Sequence, residues 1–365
     1  MSMFSINSSN AASELFKLSS EVYVSNIQES LRVAQNALAA RANKALKKDA
    51  VDFSDPRIAR PQAERDKLAA QKAQFIDEAT LMSKVVTNLG KIDLALTDIK
   101  TALLTLNSAS TPQERADAAA LLDQKILAIN GYANNAGDYG KNPIGKPKNA
   151  SFETSDVIAA SSAGSLFVEG KFEGSDFAIT DAGGKTWHVD RGTSELVQYD
   201  SFPDQPTGTR YATSDVTVAS YDDSTGAITL NTPGGQVAGT VQRYGVGMLD
   251  SFLYNGLQSD ADVARALADL DVAQARFGID KATFGGAEVT LTSQLNQLNG
   301  KIADLDKRIN SVTSEMITER TAADKALKTK VQIQQQMLSL TVSSQGAIID
   351  LFFRGSIKTG TILDQ

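Results

Sequence analysis

Residues 291–316 read LTSQLNQLNGKIADLDKRINSVTSEM. Their apolar side chains fall at Leu291, Leu295, Leu298, Ile302, Leu305, Ile309, Val312 and Met316, in alternating steps of four and three. That is a narrow stripe along one side of a helix, close to a strict heptad repeat. A single helix would leave the stripe in water, so this stretch demands a partner.

A matching stripe lies far upstream, at Phe75, Ala79, Met82, Val86, Leu89, Ile92, Leu96, Ile99, Leu103 and Leu106. It stops at residues 107–112, NSASTP, where Ser110 or Thr111 can cap a new helix with Pro112 early in it. That helix carries Leu122, Ile126 and Ile129, so the pair reads as an antiparallel hairpin. The expected intrachain seam sets Leu89, Ile92, Leu96 and Ile99 against Leu295, Leu298, Ile302, Leu305 and Ile309. Pro56 and Pro61 predict a break before the upstream stripe. Gly285-Gly286 predicts a break before the downstream one, separating it from a helix that opens at Ser259-Asp260. The long C-terminal helix is expected over about residues 287–343, with its stripe interrupted by Glu319 and Arg320.

Between the two helical zones the texture changes. Residues from about 148 to 247 are rich in Gly, Ser, Thr, Val and Asp. SDFAIT and KTWHV flank residues 181–184, DAGG, and VTVASY and AITLN flank residues 222–226, DDSTG. β-branched runs around glycine-containing loops predict hairpins. The fold class is therefore α+β: a long antiparallel coiled-coil bundle built from both chain ends, with an inserted, mostly antiparallel β domain. The predicted divisions are residues 1–50 with 325–365, residues 51–147 with 259–324, and a β-rich insert at 148–258.

Composition narrows the chemistry. The 365 residues carry 36 Lys and Arg against 43 Asp and Glu, a net charge of −7. Clustered basic residues, the footprint of nucleic-acid binding, are not evident. With no cysteine there is neither a disulfide nor a thiolate metal site. His188 is the one histidine, so a zinc site of the H-E-x-x-H kind is excluded, and no nucleophile is visibly paired with it. Asp222, Asp223 and Ser224 lack the spacing of a calcium loop and read as a turn. No catalytic, cofactor or metal site is expected. The opening MSMFSINSSNAASELFKLSS lacks a basic start followed by an apolar run, and no apolar run approaches membrane-spanning length. Export without a cleaved signal peptide and no membrane insertion are the corresponding expectations.

Several short motifs add to this pattern. In residues 266–278, ALADLDVAQARFG, Leu270, Asp271, Ala273, Arg276 and Gly278 resemble the segment where a flagellin chain returns from its outer domain. Residues 333–336, IQQQ, resemble the paired-glutamine motif near flagellin C-termini, and Leu351, Phe352 and Phe353 lie about where flagellins end. The long helix, turn and return helix of residues 77–129 are similar to the family layout. The chain thus resembles a divergent flagellin. The resemblance implies a structural, non-enzymatic subunit that polymerises with itself into an extracellular helical filament, served by an export chaperone and a capping protein.

On that reading the terminal stripes form the assembly interface. Its expected members are Leu15, Leu18, Val22, Ile27, Leu31 and Leu38 at one end and Val331, Leu338, Ile348, Leu351 and Phe352 at the other. Two alternatives stand beside it. One is a hook–filament junction protein, or a type III secretion tip or translocator protein. The other is a surface- or carbohydrate-binding β domain on a helical stalk, presenting Tyr199, Phe202, Tyr211 and Tyr221.

Overall fold

The computed structural model describes residues 25–26, 29–30, 32–41, 44, 52–145, 154–161 and 164–359. The fold is α+β. Among the described residues, three long helices, α1 (Pro56–Thr105), α2 (Pro112–Asn134) and α3 (Asp260–Thr359), flank nine strands. The chain divides into two compact units, residues 65–303 and residues 1–64 with 304–365.

The helix boundaries follow local chemistry. Asp55 accepts the Arg57 amide at 2.8 Å and starts α1, with Pro56 in the first helical position. Pro61 lies inside α1 rather than ending it. It sits so near the start that its missing N–H removes a single early bond. The predicted break therefore lies one turn further upstream. Thr111 and Glu114 form a reciprocal capping box on α2. Ser259 and Asp262 do the same on α3, each side chain accepting the other's backbone N–H, at 3.1 and 3.2 Å.

The expected break at Gly285-Gly286 does not occur, because α3 runs through it. Two glycines cost a helix about 1 kcal/mol each relative to alanine. Here Phe284, Ala287 and Leu291 bury their side chains on either side, which outweighs that cost. A Cβ at either glycine meets open space. Gly285→Ala and Gly286→Ala should each stabilise the chain by about 1 kcal/mol in urea denaturation. Loss of stability in either would show that the glycines are needed.

In the unit of residues 65–303, the core is a three-helix seam. Phe75, Leu89, Ile92, Leu96 and Ile99 of α1, Leu122, Ile126 and Ile129 of α2, and Leu270, Phe277, Phe284 and Leu291 of α3 are all buried. Two ion pairs set the register of α1 on α3: Lys100 to Asp271 at 2.8 Å and Lys281 to Asp93 at 2.6 Å. This corrects the predicted pairing. Leu89, Ile92, Leu96 and Ile99 lie opposite the part of α3 near residues 271–284, not opposite Leu295 to Ile309. The sequence pattern misplaced the register because heptad stripes carry no marker of which turn meets which; the ion pairs supply it.

The sheet is antiparallel throughout, in the order β6-β5-β4-β3-β9-β8-β7. Both predicted hairpins are present, as β3 (Ser175–Asp181) with β4 (Thr186–Asp190) and β7 (Thr217–Tyr221) with β8 (Ala227–Thr232). β5 (Glu195–Tyr199) and β6 (Pro206–Ala212) extend one side, while β9 (Gly235–Gly245) returns to pair with β3. A separate hairpin, β1 (Val157–Ser161) with β2 (Gly164–Val168), precedes the sheet. Because β3 and β9 are neighbours and Ser175 faces Gly245, the chain enters and leaves the sheet at one point. Gly245 has φ +66°, and a Cβ there would strike the Gly174 carbonyl, so this crossing requires glycine.

The crossing is tied to the helices by polar groups. The Asn130 side chain of α2 donates to the Ser175 carbonyl at 2.9 Å and accepts from its N–H at 2.6 Å. Asp123 of α2 accepts from the Ser251 N–H and hydroxyl at 2.7 and 2.6 Å. Burial raises the Asp123 carboxyl, against the Ser251 hydrogen bonds.

Candidate assembly interface

The apolar stripe of α3 changes character along its length. Leu291 and Leu298 are fully buried, whereas Leu295, Ile302, Leu305 and Ile309 are half-buried. At the point where Glu319 and Arg320 interrupt the pattern, both are paired: Arg57 lies 3.7 Å from Glu319, and Arg320 3.3 Å from Asp324. Exposed pairs of this kind contribute about 0–1 kcal/mol, less than an apolar core position would.

Further along, the stripe divides. Val331, Leu338 and Val342 are half-buried. Ile333, Met337, Leu340, Ile348 and Leu351 face solvent, the last at 77% exposure. Ile333, Met337 and Leu340 keep steps of four and three, and Ile348 and Leu351 continue the same face beyond Ser344, so the outward residues form a second apolar stripe interrupted at Ser344. Exposed apolar side chains in such an array mark an interaction surface, whereas single ones do not.

Of the expected interface residues, Ile348 and Leu351 lie in this outward stripe, and Val331 and Leu338 lie on the half-buried side. Leu38 is half-buried in helical residues 32–41. Phe352 is helical. Leu15, Leu18, Val22, Ile27 and Leu31 fall outside the described residues, as does the side chain of Phe352. Ile333, Met337 and Leu340 were missed by following one stripe only. The same spacing in the sequence, started two residues later, would have found them.

All four aromatics of the stalk-and-binder reading are half-buried rather than displayed. Tyr211 stacks on Trp187 with ring centroids 5.7 Å apart. Tyr199 meets Phe202 edge-on at 5.2 Å, and Phe202 stacks on buried His188 at 3.8 Å. Tyr221 lies under the guanidinium groups of Arg243 and Arg265. In the 222–226 loop, Asp222 accepts from the Ser224 N–H and hydroxyl and the Thr225 hydroxyl, at 2.7–2.9 Å. These bonds hold its carboxyl down at about 2 and make the segment a turn. Among the described residues, no cluster of His, Cys, Asp and Glu could hold a metal ion, and no helix is long and apolar enough to cross a membrane.

No family model matches the chain, and no curated protein matches it. Among the solved structures it is similar to are three of low identity. Bacillus cereus flagellin is 14% identical over 64% of this chain and 88% of that one, with a TM-score of 0.32. A putative flagellar hook-associated protein from Vibrio parahaemolyticus is 15% identical over 71% and 100%, with a TM-score of 0.40. The flagellar junction protein FlgL from Legionella pneumophila is 11% identical over 76% and 99%, with a TM-score of 0.35. The solved structures that this chain resembles thus include a flagellin, a putative flagellar hook-associated protein and a flagellar junction protein.

Proposed function

We propose that this protein is a structural subunit of a flagellum-type assembly, polymerising with itself into an extracellular helical filament. The observation that carries this reading is the outward apolar stripe of α3 from Ile333 to Leu351, on a helix whose earlier stripe already forms a core. A subunit that buried this stripe against copies of itself would gain about 25 cal/mol per Å² of apolar surface removed from water. Contacts between copies that do not close into a ring generate a helical polymer. The terminal segments, residues 1–50 with 325–365, form the inner seam, and the β domain faces outward. The motifs of residues 266–278 and 333–336 support the same reading, and an export chaperone and a capping protein would be its partners.

Electron microscopy of full-length protein beside a version lacking residues 1–45 and 330–365 tests it. Filaments from the first and monodisperse monomers from the second are expected. If the full chain stays monomeric, with the amides of residues 333–351 protected from exchange, the filament reading falls. Copy number in isolated appendages separates a filament subunit from a junction protein, which would be present in few copies.

A further inference from the structure

Beside α2, where β4 turns into β5, lies a cleft of about 270 Å³ lined by Asp123, Arg191 and Asp250 among others. Asp250 is 6% exposed. Two bonds from Arg191, from Nε and Nη2, both fall on its Oδ1 at 3.2 Å. Its other oxygen, Oδ2, is buried and accepts no hydrogen bond. Asp250 precedes the 3-10 segment Ser251–Leu257, yet its side chain caps nothing there. A buried carboxylate oxygen without a donor is costly, so such an atom points to a donor that the chain does not supply. The carboxyl rotates easily about its Cβ–Cγ bond, so either oxygen can be offered to the cleft while the other stays with Arg191.

The charge around it is unbalanced. Asp123 of α2 and Asp176 of β3 both act on Asp250, and Arg191 opposes them. Arg191 is shared, lying 3.5 Å from Asp176. Asp123 is occupied by the Ser251 amide and hydroxyl. Three carboxylates against one guanidinium favour a cation. Among the described residues no cluster of His, Cys, Asp and Glu could hold a metal ion, so the cation is an organic one. Leu127, Val189 and Phe252 add apolar surface to the lining, which suits a stem behind the charge. The wall is set in advance. Ser194 lines the cleft with φ +55°, and the Thr213 amide and hydroxyl both donate to its carbonyl, at 2.9 and 3.1 Å.

We propose that this cleft binds a primary alkylammonium group, which donates to the free oxygen of Asp250 and lays its stem against Leu127, Val189 and Phe252. An ammonium carries three donors and no acceptor, which matches an acidic cleft with an unused carboxylate oxygen. A free small amine and a lysine side chain both present this group. Burial pushes Asp250 up to about 6, against Arg191 and with the help of Asp123 and Asp176. Below that pH the carboxyl holds a proton, so binding weakens as pH falls through about 6. The inference does not depend on polymerisation.

The test is an amide chemical-shift titration of the full chain with n-butylammonium chloride at neutral pH and constant ionic strength, kept dilute enough to remain monomeric. The amides of Ser194, Thr213 and Ser251 should shift saturably with the amine and not with n-butanol, which has the same stem without the charge. D250N, which keeps an acceptor for Arg191 but no charge, should weaken binding by about tenfold to a hundredfold. No saturable shift, an equal response to n-butanol, or undiminished binding by D250N would overturn the proposal. Should D250N not fold, the unmodified chain decides. Its affinity for the amine should fall as pH is lowered through about 6, and an affinity independent of pH ends the proposal. Nα-acetyl-lysine methylamide binding as tightly as n-butylammonium supports the cleft as a lysine site. Tighter binding of n-butylammonium supports it as a site for a free amine.

Discussion

Replacing Met337 and Leu340 together with glutamate should abolish self-association while leaving the monomer as stable as before. Both side chains are outward on α3, at 63% and 67% exposure, so the fold of the isolated chain draws little from them. Exposed substitutions of this kind usually change stability by less than about 0.5 kcal/mol, and glutamate is a good helix former. In a polymer that buries the stripe, each lost apolar side chain costs about 1.5–3 kcal/mol. The pair therefore costs about 3–6 kcal/mol, or roughly a hundredfold to ten-thousandfold in the concentration needed to assemble. Sedimentation of the variant beside the unmodified chain, with a thermal melt of each, measures both quantities. Polymer formation at the original concentration would remove this stripe from the interface.

The second large effect concerns Asp269, where the β domain meets α3. Its carboxylate accepts from Arg243 of β9 at 2.7 Å and from the Tyr254 hydroxyl at 2.7 Å. Tyr254 lies in the 3-10 segment Ser251–Leu257 and is fully buried, and Arg265 stands over its ring. Burial works against the Arg243 charge, but the Asp269 hydrogen bond and charge outweigh it and hold the guanidinium above its usual value. Burial likewise pushes the Tyr254 hydroxyl well up, so it stays a donor. Removing Asp269 leaves Arg243, about a quarter exposed, with the more distant carboxylate of Asp223 at 3.6 Å and the Tyr221 hydroxyl at 2.6 Å. Asp269→Ala removes both a charge-assisted bond from Arg243 and the acceptor of the buried Tyr254 hydroxyl, and should cost about 2–4 kcal/mol in urea denaturation. Tyr254→Phe removes one hydrogen bond to a charged group and should cost about 1.5–3 kcal/mol. An Asp269→Ala cost below that of Tyr254→Phe would mean that Asp223 and Tyr221 suffice for Arg243 and that Asp269 does not hold the junction.

Both effects lie at places the sequence located only in part. The α+β class, the helical ends, the two hairpins and the caps at Thr111 and Ser259 were legible because each depends on neighbours within a few residues. Period, capping and turn chemistry are local, so a linear string records them. The outward stripe was half legible: its spacing is in the sequence, but a helix with apolar stripes on two different faces does not say which one is covered.

What only the tertiary structure decided are matters of register and charge. Lys100 with Asp271 and Lys281 with Asp93 lie more than a hundred residues apart in sequence, and their meeting chose which turns of α1 and α3 face each other. Gly285-Gly286 reads as a break locally, and burial on either side overrode it. Glu173 is an ordinary acid in the sequence; its carboxyl is raised only because the folded chain buries it. Sequence alone determined the elements and their ends, because those energies are short-range. The structure decided which faces met and which charges were buried, because those depend on groups brought together by the whole chain.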